Sequence, residues 1–321
     1  MSLMRTSFVE LLARNNQADP AYCPMVINKL TGTSIQVGES PGISNNRGFG
    51  RMVFDVPDYL ETKLRVNSRD VTLKKIPQYK GYVIDLTKFE NAEDFFMKTL
   101  GKNSRKNFRA KQRKLEEEYN IEYAFYFGEI SKEQYDLIFD VCYRLMEERF
   151  DEKKIYNRNL AQWADYHKLF YPMILAKKAS VFVIYDGDKP ITITLNFHCA
   201  DIVFSHIQIY DIAYSRFSMG DIAIFKNVGW CFQNNMAIWD FSKGATDNKL
   251  RWSNHVYQFD YHLIINKRTA FSNARAWTIG KVLAFKQLLR DKGVIGGNFQ
   301  LDRWYYFTKM KSLRDRDWKK P

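Results

Sequence analysis

Along the chain the spacing of apolar residues changes period several times, and each change marks an element. The run Lys80-Gly81-Tyr82-Val83-Ile84-Asp85-Leu86 follows a turn signal and predicts a strand. A helix is expected from Asn91 to Leu100, stopped by Gly101. Ser104 is a suitable N-cap for a second helix. That helix carries Arg105, Lys106, Arg109, Lys111, Arg113 and Lys114 ahead of Glu116, Glu117 and Glu118, with only Phe108, Ala110 and Leu115 as an apolar stripe. Ile121 to Phe127 reads as a strand. Tyr135, Ile138, Phe139, Cys142, Leu145 and Met146 recur at helical spacing within Ser131 to Phe150, and Asn159 to Phe170 is helical as well.

The period then shortens to two. Val181 to Tyr185 is a strand, Asp186-Gly187-Asp188-Lys189 is a hairpin turn, and Pro190 to His198 alternates with Ile191, Ile193, Leu195 and Phe197 on one face. Ile202 to Tyr210 completes an antiparallel meander of three strands. The loop Asp211 to Met219, Gly220, and a helix from Asp221 to Asn234 come next. A short strand (Ala237 to Phe241), another (Tyr257 to Ile265) and an amphipathic helix (Ala274 to Arg290) complete the pattern. Thr31 to Gly50, rich in Gly, Ser and Asn, reads as a long loop. This order predicts an α+β fold with a mixed sheet.

Composition narrows the class. At roughly 150 residues per domain, 321 residues make two domains or one large one. A 45% apolar and 16% aromatic chain can build a large core without metal or disulfide staples. Lys and Arg total 49 against 36 acids, a net +13 that suits a polyanionic partner: a nucleotide, a phosphorylated cofactor, nucleic acid or an anionic membrane surface. Cys23, Cys142, Cys199 and Cys231 form no CxxC pair, which argues against a zinc ribbon or dithiol site, and no metal is expected. The sequence shows no secretory signal and no apolar run near the ~20 residues of a membrane span, so a cytoplasmic location with free thiols is expected. Met1 to Leu3 read as a leader before a start at Met4.

The step from loop to helix at Gly220 is the first candidate site. A helix start offers unpaired N–H groups and a positive dipole end to a phosphate. Ser218, Met219, Gly220 and Asp221 would aim those groups at a pyrophosphate, with Arg216 adding charge. A plain tight helix entry explains the same glycine, and Asp221 would repel phosphate or simply cap the helix. Asp211, ending the last meander strand, is a candidate base if burial raises its pKa, and a turn residue otherwise. Tyr210 and Tyr214 are candidate proton donors, or core aromatics. His206 shares a strand face with Phe204, Gln208 and Tyr210. It is a candidate general base if that face lines a cleft, and a packed sheet residue if it does not. Asp240, Lys249 and Arg251 could grip a carboxylate or phosphate, and a solvated loop paired with Asp247 would explain the two cations equally. The basic helix is either a solvated face or a contact for an acidic partner such as transfer RNA.

Taken in order, Tyr210-Asp211-x-x-Tyr214-Ser215-x-x-Ser218-Met219-Gly220 and Trp239-Asp240-Phe241-Ser242-x-Gly244-x-x-x-x-Lys249-x-Arg251-Trp252 resemble the FemAB/BioF2-like branch of the GNAT acyltransferases. The run Ser104-Arg105-Lys106-Asn107-x-Arg109-x-Lys111-x-Arg113-Lys114-Leu115 resembles that branch's basic linker helix. Two positions depart from the pattern: one glycine, Gly220, serves the loop, and Asn248 precedes Lys249 where the family has an aromatic. The resemblance implies a GNAT-like, mostly antiparallel sheet flanked by helices, in two GNAT-like units, expected over 4–127 and 128–321. It implies an N-acyltransferase moving an acyl group from acetyl-CoA or another acyl-CoA to an amine, with cell-envelope or polysaccharide precursors as acceptors. Two further readings stand: an aminoacyl-tRNA-dependent, Fem-like transferase, and a non-catalytic protein that binds nucleic acid or a partner.

Overall fold

The structure, a computed structural model, describes residues 4–39, 51–65, 71–266, 270–294, 306–310 and 318–319. The fold is α+β with mostly antiparallel sheet flanked by helices. The chain gathers into two compact units. They interleave along the sequence instead of dividing at 127/128. The first takes Met1–Lys88, Cys199–Phe204 and Asn235–Val294, and the second Phe89–His198, Ser205–Asn234 and Ile295–Pro321. The reason is strand pairing: the long strand over Val71–Asp85 ladders with strands that lie well over a hundred residues further along the chain.

In the first unit, β1 (Met4–Ser7) pairs parallel with β6 (Arg51–Pro57). Next across the sheet come β14 (His255–Asn266), β8 (Val71–Asp85) and β13 (Ile238–Lys243), each antiparallel to its neighbour. The first residues of β12 (Ile202–Tyr210) run parallel to β13, Ile202–Phe204 against Ile238–Asp240. α1 (Phe8–Asn15) starts at Ser7, whose hydroxyl accepts from the Glu10 N–H, and stops at Asn16 in the left-handed region. β3 (Tyr22–Asn28) lies between β4 (Ser34–Gln36) and β7 (Leu60–Leu64) in a second sheet. β2 (Gln17–Ala18) pairs with β5 (Gly38–Glu39). So the expected loop from Thr31 to Gly50 contains two short strands, and 40–50 lies outside the described residues. α8 (Asp247–Trp252) follows β13, and α9 (Ala270–Asp291) packs on β8 and β14.

In the second unit the three expected meander strands, β10 (Ala179–Asp186), β11 (Lys189–Cys199) and β12, are neighbours in that order, with one further strand, β9 (Ile121–Tyr126), beside β10. β10 pairs antiparallel with β9 and β11, and the rest of β12 follows β11. Helices are α2 (Ala92–Thr99), α3 (Lys102–Glu118), α4 (Lys132–Glu152), α5 (Arg158–Ala161), α6 (Trp163–Leu175) and α7 (Met219–Gln233). α3 begins two residues before the expected cap: Gly101 is its N-cap, without a side-chain bond, and Ser104 lies inside the first turn. Of its thin apolar stripe Phe108 and Leu115 are buried and Ala110 is exposed; Phe108 lies against Phe96 and Phe225, 5.1 and 5.4 Å between ring centroids. β11 is buried on both faces. Phe197 meets Phe170 of α6, while Asn196 and His198 meet Asn227 and Trp230 of α7.

Candidate active site

The loop after β12 is a 3-10 turn over Ile212–Phe217 that ends at Ser218 with φ 58° and ψ 48°. A serine held in the left-handed region costs roughly 1–2 kcal/mol. The switch from right-handed to left-handed backbone opens α7, where the Ser218 carbonyl accepts from the Asp221 N–H at 2.9 Å and the Ile222 N–H at 3.3 Å. Lys111 on α3 donates to Ser218 Oγ at 2.8 Å, which brings a cation of the basic helix to this point. Met219, Gly220 and Asp221 form the buried first turn, and the Gly220 carbonyl accepts from Gln208 at 2.9 Å. Arg216 is turned away to Glu118, 2.5 Å, and to the Tyr119 hydroxyl, 3.3 Å. The turn, the helix start and Lys111 fit a phosphate-bearing group, while the Asp221 carboxylate works against it.

The other candidates of this stretch have structural partners. Asp211 caps the turn through Ala213 N–H, 3.0 Å, and pairs with Lys189, 2.7 Å. Partial burial alone would raise its pKa, but Lys189 and the Ala213 N–H outweigh that and hold it below the ordinary carboxylate range. A general base needs the opposite shift. Tyr214 donates to Asp186 at 2.7 Å, and burial together with that carboxylate raises its pKa. The Arg149 guanidinium lies 4.8 Å from the Tyr210 ring centroid. His206 lies against Tyr166, Phe197 and Phe170 at 5.0, 5.2 and 6.5 Å, on the face covered by α6, whereas α7 covers the other face.

A second constellation lies in the first unit, around Asp240 on β13. Asp240 is 1% exposed. Its Oδ2 accepts from Tyr59 at 2.8 Å, both oxygens lie 2.8 Å from the Tyr257 hydroxyl, and Oδ1 accepts from Ser242 N–H at 2.6 Å. Burial pushes its pKa up to about 6, although the Ser242 N–H, the two hydroxyls and the Lys249 charge all oppose the rise. Burial likewise lowers Lys249 to about 8 against the pull of Asp240. Lys249 Nζ donates to the Lys243 carbonyl at 2.8 Å, and Lys243 pairs with Asp55 at 2.7 Å. Asp55 and Ser242 both hold positive φ, 57° and 62°. Strained backbone of this kind gathers where a fold holds chemistry in place. Tyr257 stands opposite Gly81 on β8, and a Cβ there would lie 2.1 Å from its Cζ. Only a glycine leaves room for that ring. Arg251, in the last turn of α8, donates to Asn248 at 3.0 Å.

Residues 102–250 match the family model described as an acetyltransferase (GNAT) domain. The match spans 149 of the 321 residues. Among solved structures, L-PGS from Bacillus licheniformis is similar at 10% identity and TM-score 0.44, covering 87% of this chain and 92% of that one. FemX is similar at 8% identity and TM-score 0.48, covering 66% and 71%. A tandem GNAT protein from the clavulanic acid biosynthesis pathway is similar at 8% identity and TM-score 0.38, covering 79% and 86%. No curated protein sequence matches.

The matched segment opens with α3 and closes inside α8, so it contains the loop, α7, Asp240 and Lys249. Arg251 lies just past its end. The structure brings Asp240 and Lys249 together, as it does Ser218 through Asp221. Sequence reading missed Tyr59 and Tyr257, both outside the matched segment. Gly81, isolated inside a strand just before Tyr82-Val83-Ile84, was the available signal of a close approach. Among the described residues, no cluster suited to a metal ion occurs, and no helix is long and apolar enough to cross a membrane.

Proposed function

We propose that this chain is an N-acyltransferase that moves an acyl group from a coenzyme A thioester to an amine, with Asp240 as the group that takes up the amine proton. The observation that carries this reading is a buried carboxylate, inside the segment that matches the GNAT domain model, whose pKa is raised to about 6. A base poised near neutrality both accepts and releases a proton readily. The amine nitrogen attacks the acyl carbonyl carbon, the carbon–sulfur bond breaks, and the thiolate leaves and is protonated from solvent, which balances the amine proton taken up by Asp240. Tyr257 and Tyr59, each 2.8 Å from the carboxylate and buried like it, would pass the amine proton to Asp240 once a bound acceptor reaches one of their hydroxyls. Lys249, with its pKa lowered to about 8, keeps a positive charge close to the carboxylate and steadies its ionised form. A bound acyl thioester would supply the electrophilic carbonyl. Within the second unit, Ser218, Met219, Gly220 and Lys111 are residues suited to a phosphate group. The motif order favours the FemAB/BioF2-like branch and, with it, amine precursors of the cell envelope or of polysaccharide as acceptors.

The exposed cations of α3 and the net +13 favour a second reading, in which aminoacyl-tRNA is the donor. Calorimetric titration with acetyl-CoA, free CoA and bulk transfer RNA at fixed salt separates the two. The first reading expects saturable CoA binding, weakened about tenfold by Lys111→Glu at an exposed position. A salt-sensitive response to transfer RNA alone would transfer the proposal to the second reading. Silence from all three ligands would sink both.

A further inference from the structure

Helix α9 is apolar on two sides. Its inner side sets Ala276, Ile279 and Leu283 on Met52, Ile76, Leu263 and Ile265 of the sheet. Arg290 is turned inward to Gln78, 3.3 Å, and lies 4.3 Å from the Tyr79 ring centroid. The outer side carries Trp277 at 61%, Val282 at 60%, Phe285 at 61% and Leu288 at 48% exposure. At 3.6 residues per turn, Trp277, Phe285 and Leu288 fall within about 80° of one another, with Val282 at the edge of the stripe. Other exposed apolar side chains, such as Met97, Leu137 and Leu175, are scattered singly, and such scatter needs no explanation.

Charge says what this side would meet. Lys281 stands within the stripe and Lys292 follows the helix, while the helix has no acid before its last residue, Asp291, which accepts from Gln287 at 2.9 Å. The Lys281 ammonium lies 5.5 Å from the centroid of the Trp277 ring. Lys74 lies beside Gly280, its Nζ 3.0 Å from where a Cβ would stand. A second copy of the same face would set cation against cation. A nucleic-acid backbone would match the lysines and leave Trp277, Phe285, Val282 and Leu288 uncovered. An anionic bilayer satisfies both halves: the aromatic and aliphatic side chains enter the headgroup boundary and the lysines meet the phosphates.

We propose that α9 docks this protein on an anionic membrane surface through its outer face, centred on Trp277, Phe285 and Leu288. The inference is independent of the acyl-transfer reading. The test is co-sedimentation of the full chain with vesicles of phosphatidylcholine alone, or with about a third phosphatidylglycerol, across a salt series. The expected result is binding to the anionic vesicles only. The double variant Trp277→Ser/Phe285→Ser should bind about tenfold less or weaker still, with unchanged thermal stability because both side chains are exposed. Met97→Ser, which removes an exposed apolar side chain elsewhere, should change nothing. No binding to anionic vesicles at low salt would overturn the proposal. Undiminished binding by the double variant would overturn it too, by assigning the attraction to charge elsewhere, such as the basic α3. A dimer broken by the double variant, with no vesicle binding, would assign the face to a second copy.

Discussion

Replacing Asp240 by Asn tests the buried carboxylate through two readouts that should move in opposite directions. Burial raises this carboxyl pKa from 3.8 to about 6, so the folded state holds the proton more tightly than the unfolded chain does. The stability that this provides is complete below about pH 4 and is lost as pH rises through about 6. A shift of about two units is worth ~3 kcal/mol, at ~1.4 kcal/mol per unit. That is a large share of the ~5–15 kcal/mol of a typical domain, so it should be measurable. Asn keeps the shape and cannot ionise. Its amide oxygen can still accept from Ser242 N–H, and its NH2 can face Tyr59 and Tyr257, whose hydroxyls rotate to accept. Urea unfolding of both proteins from pH 4 to pH 7, one subtracted from the other, cancels the remaining titrating groups. The difference should move by ~3 kcal/mol in favour of the variant across that range. Lys249 does not blur this window. Its pKa is lowered to about 8, so its own contribution is present at high pH and lost as pH falls through about 8. Removing the Asp240 charge lowers Lys249 further, so the comparison stops at pH 7. Acyl transfer by the variant should fall about a hundredfold or more. A flat difference curve would show that Asp240 does not titrate here, and the argument for it as proton acceptor would fail with it.

Two substitutions test the surroundings. Gly81→Ala places a Cβ 2.1 Å from Tyr257 Cζ and should cost about 1–3 kcal/mol while shifting the ring from Asp240, read as a lower melting temperature with reduced transfer activity; a wild-type melting temperature would show that the contact yields. Thr194→Val removes a buried hydroxyl that has no hydrogen-bond partner and should raise stability by ~1 kcal/mol in urea unfolding; a loss of similar size would reveal a water bound to that hydroxyl.

The parts of the fold that were legible in the sequence are those with a long local period. The meander β10–β12 with β9 beside it, helix α4 and the entry to α7 all announce themselves by alternation or helical spacing over six or more residues. Strands β1 to β7 run from two to seven residues, most of them too short for a period to establish itself, and their place depends on partners elsewhere in the chain. The same limit explains the interleaved units. Pairing of β8 with β13 and β14 is a long-range choice that no local window contains. At the site, Asp240 and Lys249 lie within ten residues of each other and were read together, whereas Tyr59 reaches Asp240 across 181 positions. Asn248 and Arg251 flank Lys249 in sequence, yet only the lysine is drawn into the buried charge pair, because α8 turns each residue by 100°.

Sequence reading made Asp211, after β12, a candidate base and Asp240, within β13, a residue that could grip a carboxylate or phosphate, and their surroundings differ in the structure. Asp211 meets a full ammonium and an N–H, both of which favour its charge, so it stays ionised and serves the turn. Asp240 meets hydroxyls and an N–H in a site closed to water, and its nearest influential cation is itself partly discharged by burial. Hydrogen bonds to Asp240 therefore soften the desolvation penalty without cancelling it, which leaves its proton near the middle of the physiological range. Carboxylates driven in opposite directions from one ordinary value mark which of them can exchange a proton at neutral pH. On that argument Asp240 on β13 is the better candidate for the proposed base, and Asp211 stays ionised as the cap of the turn after β12.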